Sequence, residues 1–258
     1  MNDNKVYLKI DCLLHWGWRL NLIPFSKSRP PLRVLPPTTL VGVLAFPLNR
    51  ALALPETYER YSGAEWLRQL LKYVGYRIDS PLTEYSDLSK ISFYYRKGEA
   101  KTDAVAVGKT YSLSSSRPYG VTLCYIIDES KARFVLKGES MEKELLKAAC
   151  SIMRLGSRES IAVPFRVSSG KAKLLDFKFG ETGFSFLKRM VTSVEGSYIM
   201  SQVVDWELAK IGDYKNAIFD MLIVPYDAAR YASGRVRVEL ADEYAFYDTD
   251  GELVIGAK

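Results

Sequence analysis

Residues 140–167 read SMEKELLKAACSIMRLGSRESIAVPFRV, and this stretch decides the class of fold. Met141, Leu145, Ala148, Ala149 and Ile152 recur at spacings of three and four, so a helix over Ser140 to Leu155 gathers them on one face. Glu142 and Glu144 suit the positive end of that helix and Arg154 its negative end, and Gly156 takes the position just past it, where a left-handed backbone is usual. The period then changes. Ile161 to Val167 is β-branched and aromatic, a strand joined to the helix by the turn Leu155 to Ser160.

The upstream residues supply the other elements. Val121 to Ile127 reads as a strand, paired in a hairpin with Ala132 to Leu136 around Asp128, Glu129 and Ser130, and Ile91 to Tyr95 reads as another. Ser62 to Val74 predicts a helix with Trp66, Leu67, Leu70, Leu71 and Val74 on one side and Gly75 as its stop. Pro24 to Pro37 has proline at 24, 30, 31, 36 and 37, which excludes helix or central strand and leaves an extended basic loop. Thr38 or Thr39 then caps a helix from about Thr39 to Leu52, with Leu40, Val41, Leu44, Ala45 and Leu48 facing the core and a bend near Pro47. Val6 to Leu14 is a half-buried strand that runs on through His15 to Leu20.

In order, the elements are β, α, β, β, α, β: an α+β, ferredoxin-like arrangement, the frame of RRM-type RNA binders. Residues 1–167 make this domain. Residues 168–258 predict a β-rich C-terminal subdomain: strands over Leu174 to Phe179, Tyr198 to Trp206, Ala217 to Tyr226, Gly234 to Leu240, Tyr244 to Tyr247 and Leu253 to Ile255, with a short helix near Phe184 to Val194. Arg96 to Pro118 is too polar for a core and long for a loop inside a compact domain, so it reads as either functional or mobile.

Composition excludes several classes. With 258 residues, 48% hydrophobic and 26% charged, the chain can bury a core, and its apolar runs are too short to cross a bilayer. The start, MNDNKVYLKID, lacks the basic and apolar regions of a secretory signal, so the expected compartment is the cytoplasm, without a membrane. Cys12, Cys124 and Cys150 are odd in number and widely spaced, which excludes a disulfide framework and a CxxC zinc pair; all three read as buried hydrophobes. Gln69 and Gln202 are the only glutamines, and with abundant charge they suggest a thermophile.

The net charge of +6 matters less than its placement. From Cys12 to Leu54 stand Arg19, Lys27, Arg29, Arg33 and Arg50 with no acid, whereas Gly234 to Lys258 is acid-rich. Positive charge loaded toward the front of the chain reads either as a patch facing a polyanion or as solvated loops that simply collect Lys and Arg. Histidine restricts the chemistry further: His15 is the only one, so a Ser-His-Asp triad or a Cys-His dyad would have to use it and a two-histidine metal site is impossible. In His15-Trp16-Gly17-Trp18-Arg19 it is either a strand-end histidine packed on indoles or the general base of a ribonuclease. No GxGxxG or GxxxxGK[ST] occurs, and no cofactor is expected. Asp248 to Glu252 reads as a β-turn rather than a calcium loop.

Two segments can hold phosphate. Arg154 with Leu155 to Ser160 offers two guanidiniums, the hydroxyls of Ser157 and Ser160 and backbone N–H groups around one turn; its plainer reading is a helix end with Arg158 and Glu159 paired in solvent. Ser26 to Leu40 holds Lys27, Arg29 and Arg33 along a stiff path to a helix start, which is either a nucleic-acid track or a rigid connector.

His15-Trp16-Gly17, Ser26 to Arg33, Pro36-Pro37-Thr38-Thr39-Leu40-Val41-Gly42 with Leu44-Ala45, and Arg154 to Ser160 resemble the archaeal type I-A branch of the CRISPR-associated protein 5 family, within the RAMP superfamily. The resemblance covers about the first 165 residues well. It implies a modified RRM fold with a thumb hairpin where Arg96 to Pro118 stands. It also implies a subunit that caps the 5′ end of a Cascade surveillance complex, grips the 5′ handle of the CRISPR RNA, and contacts a backbone subunit (CRISPR-associated protein 7 family) and the large subunit. On this reading Lys27, Arg29, Arg33, Arg154, Gly156, Ser157, Arg158 and Ser160 hold phosphates, with His15, Arg19, Thr38 and Thr39 beside them. Arg96, Lys97, Lys101 and Lys109 clamp the guide from the thumb, and bases stack on Trp16, Trp18 or Tyr111. The chain departs from the RNA-processing relatives in lacking their Gly-rich C-terminal loop and any adjacent Lys-His pair, so it is expected to be no enzyme. The rivals are a metal-independent endoribonuclease processing CRISPR repeat RNA with His15 as base, and a protein-interaction module whose basic face is incidental.

Overall fold

A computed structural model describes residues 5–15, 17–20, 22, 32–58, 61–88, 93–96, 99–102, 107–113, 120–132, 141–156, 160–213, 216–230 and 232–258. Six elements frame it: β1 (Lys5–Leu14), α1 (Pro37–Ala51), β2 (Leu71–Ile78), β3 (Val121–Asp128), α2 (Met141–Cys150) and β4 (Ala162–Lys171). The four strands make one antiparallel sheet in the order β4-β1-β3-β2. Alternation sorts their side chains. Leu8 and Ile10 of β1, with Leu123 and Tyr125 opposite them on β3, join Leu40, Leu44, Leu145 and Ala149 of the helices in one buried cluster. Tyr125 donates a hydrogen bond to the Leu40 carbonyl (2.9 Å), tying α1 to the sheet.

The opposite face is covered at one end by the C-terminal strands. Tyr7, Tyr73, Cys124 and Ile126 pack there with Phe184, Tyr247 and Val254. β3 is therefore buried on both sides, which is why its sequence, VTLCYIID, is nearly continuous in apolar residues. C-terminal residues such as Leu187, Trp206 and Ile255 also belong to the larger cluster, so one core runs from Leu8 to Ile255.

Several elements depart from the sequence reading. α1 starts at Pro37, behind Pro36, with no side-chain cap; proline at the first helical position has a suitable fixed φ, and the N–H it lacks would have no partner there. Thr38 and Thr39 thus sit inside the first turn and are not caps. The expected helix over Ser62 to Val74 shrinks to Glu65–Leu70, and β2 begins at Leu71. Gly75 lies mid-strand and stops nothing. A Cβ there would collide with the Tyr73 hydroxyl and lie 2.7 Å from the Ser185 carbonyl, so glycine permits the close approach of the C-terminal chain.

After β3 the chain turns into a helical segment, Glu129–Ala132, led by Asp128, whose carboxylate accepts the Ser130 N–H (3.1 Å). This replaces the expected hairpin turn, and Leu136 lies outside the described residues. α2 ends at Cys150, and β4 continues past Val167 to Lys171. Cys150 is exposed rather than buried; Cys12 and Cys124 are buried, and that burial pushes both thiols up to about 12. The described part of the insertion is not confined to 96–118. It consists of nested antiparallel pairs, Leu82–Leu88 with Val107–Leu113 and Phe93–Arg96 with Glu99–Thr102.

Beyond β4 the described residues form three small sheets. The expected helix near Phe184 to Val194 is one 3-10 turn, Lys188–Met190, between short strands. Strands Tyr244–Asp248 and Leu253–Ala257 form a hairpin whose central residues, Asp250 (φ 61°) and Gly251 (φ 79°), are both left-handed, as a tight Asp-Gly turn requires. No helix of the described residues is long and apolar enough to cross a membrane.

Candidate nucleic-acid interface

The end of β1 and the turn after α2 are more than a hundred residues apart in sequence, yet they meet. The His15 N–H donates to the Ile161 carbonyl (3.1 Å), and the Arg19 N–H donates to Ser160 Oγ (3.3 Å). The Leu155 N–H closes the turn on the Ser160 carbonyl (2.9 Å), and Arg154 bridges to Ile161. Gly156 has φ +90° and seats directly on Leu20, where any Cβ would strike that side chain. Its left-handed backbone serves this turn and not the helix, which ends earlier at Cys150. The Leu32 N–H donates to the Leu20 carbonyl (2.9 Å), which brings the start of the 32–37 segment to the same end of the sheet.

Two expected contact residues change role. Trp18 is fully buried in the main cluster, with its ring edge-on to Tyr76, so no base can reach it in this fold. Ser160 is 1% exposed, and its hydroxyl holds the Arg19 backbone, so it shapes the turn rather than meeting a ligand. His15 is exposed rather than packed beneath indoles. Arg33 is exposed and paired with Glu84 (3.0 Å), an acid that the sequence reading did not connect with it. Thr38 and Thr39 are half-buried in the first turn of α1. Arg96, Lys101, Lys109 and Tyr111 lie in the nested hairpin, opposite Glu99, Tyr94, Ser86 and Glu84. Trp16, Lys27, Arg29, Lys97, Ser157 and Arg158 lie outside the described residues.

The structure adds pairings with no sequence signal. Arg50 and Arg154, both exposed, stand 5.3 Å and 6.0 Å from the ring centroid of Phe46 on α1. Their separation in the chain hides the pairing. On the other face of the sheet a chain of charges runs from β4 to the C-terminal hairpin. Arg166 bonds Asp11 (2.5 Å); the Thr122 hydroxyl lies 2.7 Å from Asp11 and 2.6 Å from Asp79; Asp79 meets Arg77 (2.5 Å), and Glu252 pairs with both Arg77 and Lys9. One hydroxyl proton is donated to one carboxylate at a time, and burial pushes the Asp79 carboxyl above the ordinary aspartate range while Arg77 beside it acts in the opposite sense. Among the described residues no three His, Cys, Asp or Glu side chains gather as metal ligands.

Comparison with known proteins points in one direction. No family model matches the chain. Two proteins of Saccharolobus solfataricus are similar to it over nearly its whole length. CRISPR system aCascade subunit Cas5 1 is 25% identical over 257 residues, 97% of this chain and 99% of the relative. CRISPR-associated protein Cas5 3 is 23% identical over 251 residues, with the same coverage. Among solved structures, a CRISPR protein from Archaeoglobus fulgidus shares the fold, with TM-score 0.66 at 17% identity over 98% of this chain and 99% of that one.

Proposed function

From the premise that the chain is a relative of the CRISPR-associated protein 5 family, we propose that it is the non-catalytic subunit of a type I-A surveillance complex that holds the 5′ handle of the CRISPR RNA. The observation that carries the reading is the meeting of the His15–Leu20 segment with the Arg154–Ser160 turn. That meeting brings Arg19 and Arg154 to the same end of the sheet, and two cations so placed suit a phosphate. The β, α, β, β, α, β order and the strand order β4-β1-β3-β2 support a ferredoxin-like, RRM-type frame over 1–167, with 168–258 as a β-rich subdomain. The nested hairpin over 82–113 supports a thumb carrying Arg96, Lys97, Lys101 and Lys109. Exposed Leu13, Val163 and Phe165 on β1 and the edge strand β4 support contact with neighbouring protein subunits, the backbone and large subunits on this reading.

The subunit acts in the cytoplasm and cuts nothing. Metal-independent RNA cleavage needs a general base, and His15, the only imidazole, has no adjacent lysine in sequence. The two buried thiols stay protonated at neutral pH. Salt dependence tests the RNA reading. If about four phosphates are neutralised on single-stranded RNA, affinity should fall with salt at a log-log slope near −3, roughly −0.7 per contact. A flat profile would leave the incidental-charge alternative standing.

A further inference from the structure

Between α1 and the chain leaving α2 lies a cleft of about 420 Å³, walled by Gly42, Phe46 and Pro47 on one side and by Met153 and Arg154 on the other. Its volume falls in the range that holds a small organic ligand. The floor is apolar, yet Arg154 lines it and the Arg50 guanidinium stands against the ring of Phe46 that walls it, and neither arginine has a carboxylate partner among the described residues. Gly42 presents bare backbone: a Cβ there would meet nothing within 4 Å. A helix interior disfavours glycine, so its presence on this wall keeps open a space that a side chain would occupy. Pro47 adds polarity, because it cannot donate to the Val43 carbonyl one turn earlier and so leaves an acceptor where Val43 lines the cleft.

We propose that this cleft receives one unpaired nucleotide of single-stranded RNA, with its base against Phe46 and the guanidinium planes and its phosphate on Arg154 and Arg50. The inference rests on the RNA-binding reading above and specifies where a splayed base goes. An aliphatic side chain of another protein would use the floor and ignore the cations, and an acidic one would do the reverse. A nucleotide uses both, since guanidinium stacks on bases and pairs with phosphate through parallel hydrogen bonds.

The test uses the purified full-length chain and short single-stranded RNAs carrying a fluorescent base analogue at each position in turn. One position should change its emission on binding. Gly42→Leu, which fills the cleft from within α1, should abolish that change and weaken binding by roughly five- to a hundredfold, the worth of one stacked base. Its melting temperature should hold or rise, because leucine suits a helix better than glycine. Should Gly42→Leu fail to fold, Met153→Trp fills the cleft from the exposed opposite wall and is read the same way. If RNA binds with the expected salt dependence but no position responds and the filled variants bind as tightly as the native chain, the cleft assignment is overturned and the RNA reading survives. If RNA does not bind at all, both fall. A photo-crosslinker at Val43 that captures a protein subunit instead of RNA in the assembled complex also overturns it.

Discussion

Gly156→Ala tests whether the Arg154–Ser160 turn is built as described. Gly156 has φ +90°, and forcing an alanine toward the left-handed region costs about 1–2 kcal/mol. The new methyl would also lie 3.1 Å from Leu20 Cγ and collide with that residue's terminal carbon. Leu20 is half-buried and flexible at its tip, so it shifts rotamer at a cost of about 1 kcal/mol. Against this, alanine lowers the entropy of the unfolded chain, which offsets about 0.4–1 kcal/mol. The net loss is roughly 1.5–2 kcal/mol, and for a chain of this size Tm should fall by about 3–8 °C. Thermal and urea unfolding measure it, alongside Leu20→Ala and the double variant. Removing the Leu20 side chain takes away the collision and not the backbone strain, so the two changes should couple by about 1 kcal/mol. A Gly156→Ala protein as stable as the native one, or strictly additive effects, would refute the seating of Gly156 on Leu20 and with it the geometry of the turn.

Arg154→Ala should weaken RNA binding by about 1.5–3 kcal/mol and reduce the salt slope by about 0.7, with Tm nearly unchanged because the side chain is exposed; a large loss of Tm would mark it as structural. Gly75→Ala should cost about 3 kcal/mol or more, since its methyl meets the Ser185 carbonyl and the Tyr73 hydroxyl inside the packed interface; a well-folded variant of native Tm would contradict that packing. Burial pushes the Glu252 carboxyl up, but Lys9 and Arg77 together hold it below the ordinary glutamate value. Its stabilisation is therefore present above about pH 4.3 and lost as pH falls through the lower folded value. Glu252→Gln should be destabilising at neutral pH, with the difference vanishing in acid; a difference independent of pH would show that the ion pairs contribute nothing. The purified chain should not cut CRISPR repeat RNA in EDTA at neutral pH, and specific cleavage abolished by His15→Ala with folding intact would establish a ribonuclease instead.

The sequence by itself determined five of the six framing elements, because each of those carries its own period; the strand it expected at Ile91 to Tyr95 lies in the nested hairpin, and Leu71–Ile78 takes its place in the sheet. The alternation in Val6 to Leu14 and the three-four spacing in Met141 to Ile152 reflect burial on one face of an element, which neighbours in the chain reveal. It also singled out two candidate phosphate sites, since Arg and Ser clusters around a turn are local. Where long-range packing overrode local preference, the reading failed. Leu71 to Val74 has helical spacing but forms strand, because β3 supplies a ladder and Ser185 a partner across the sheet. Trp18 looked like a stacking platform, and only the closing of α1 and β2 around it made it core. The approach of Arg154 to Phe46 and Arg50, the pairing of Arg33 with Glu84 and the bridge from Asp11 to Asp79 through Thr122 joined residues dozens to more than a hundred positions apart. No local pattern records such contacts, because they are fixed by how the sheet orders its strands.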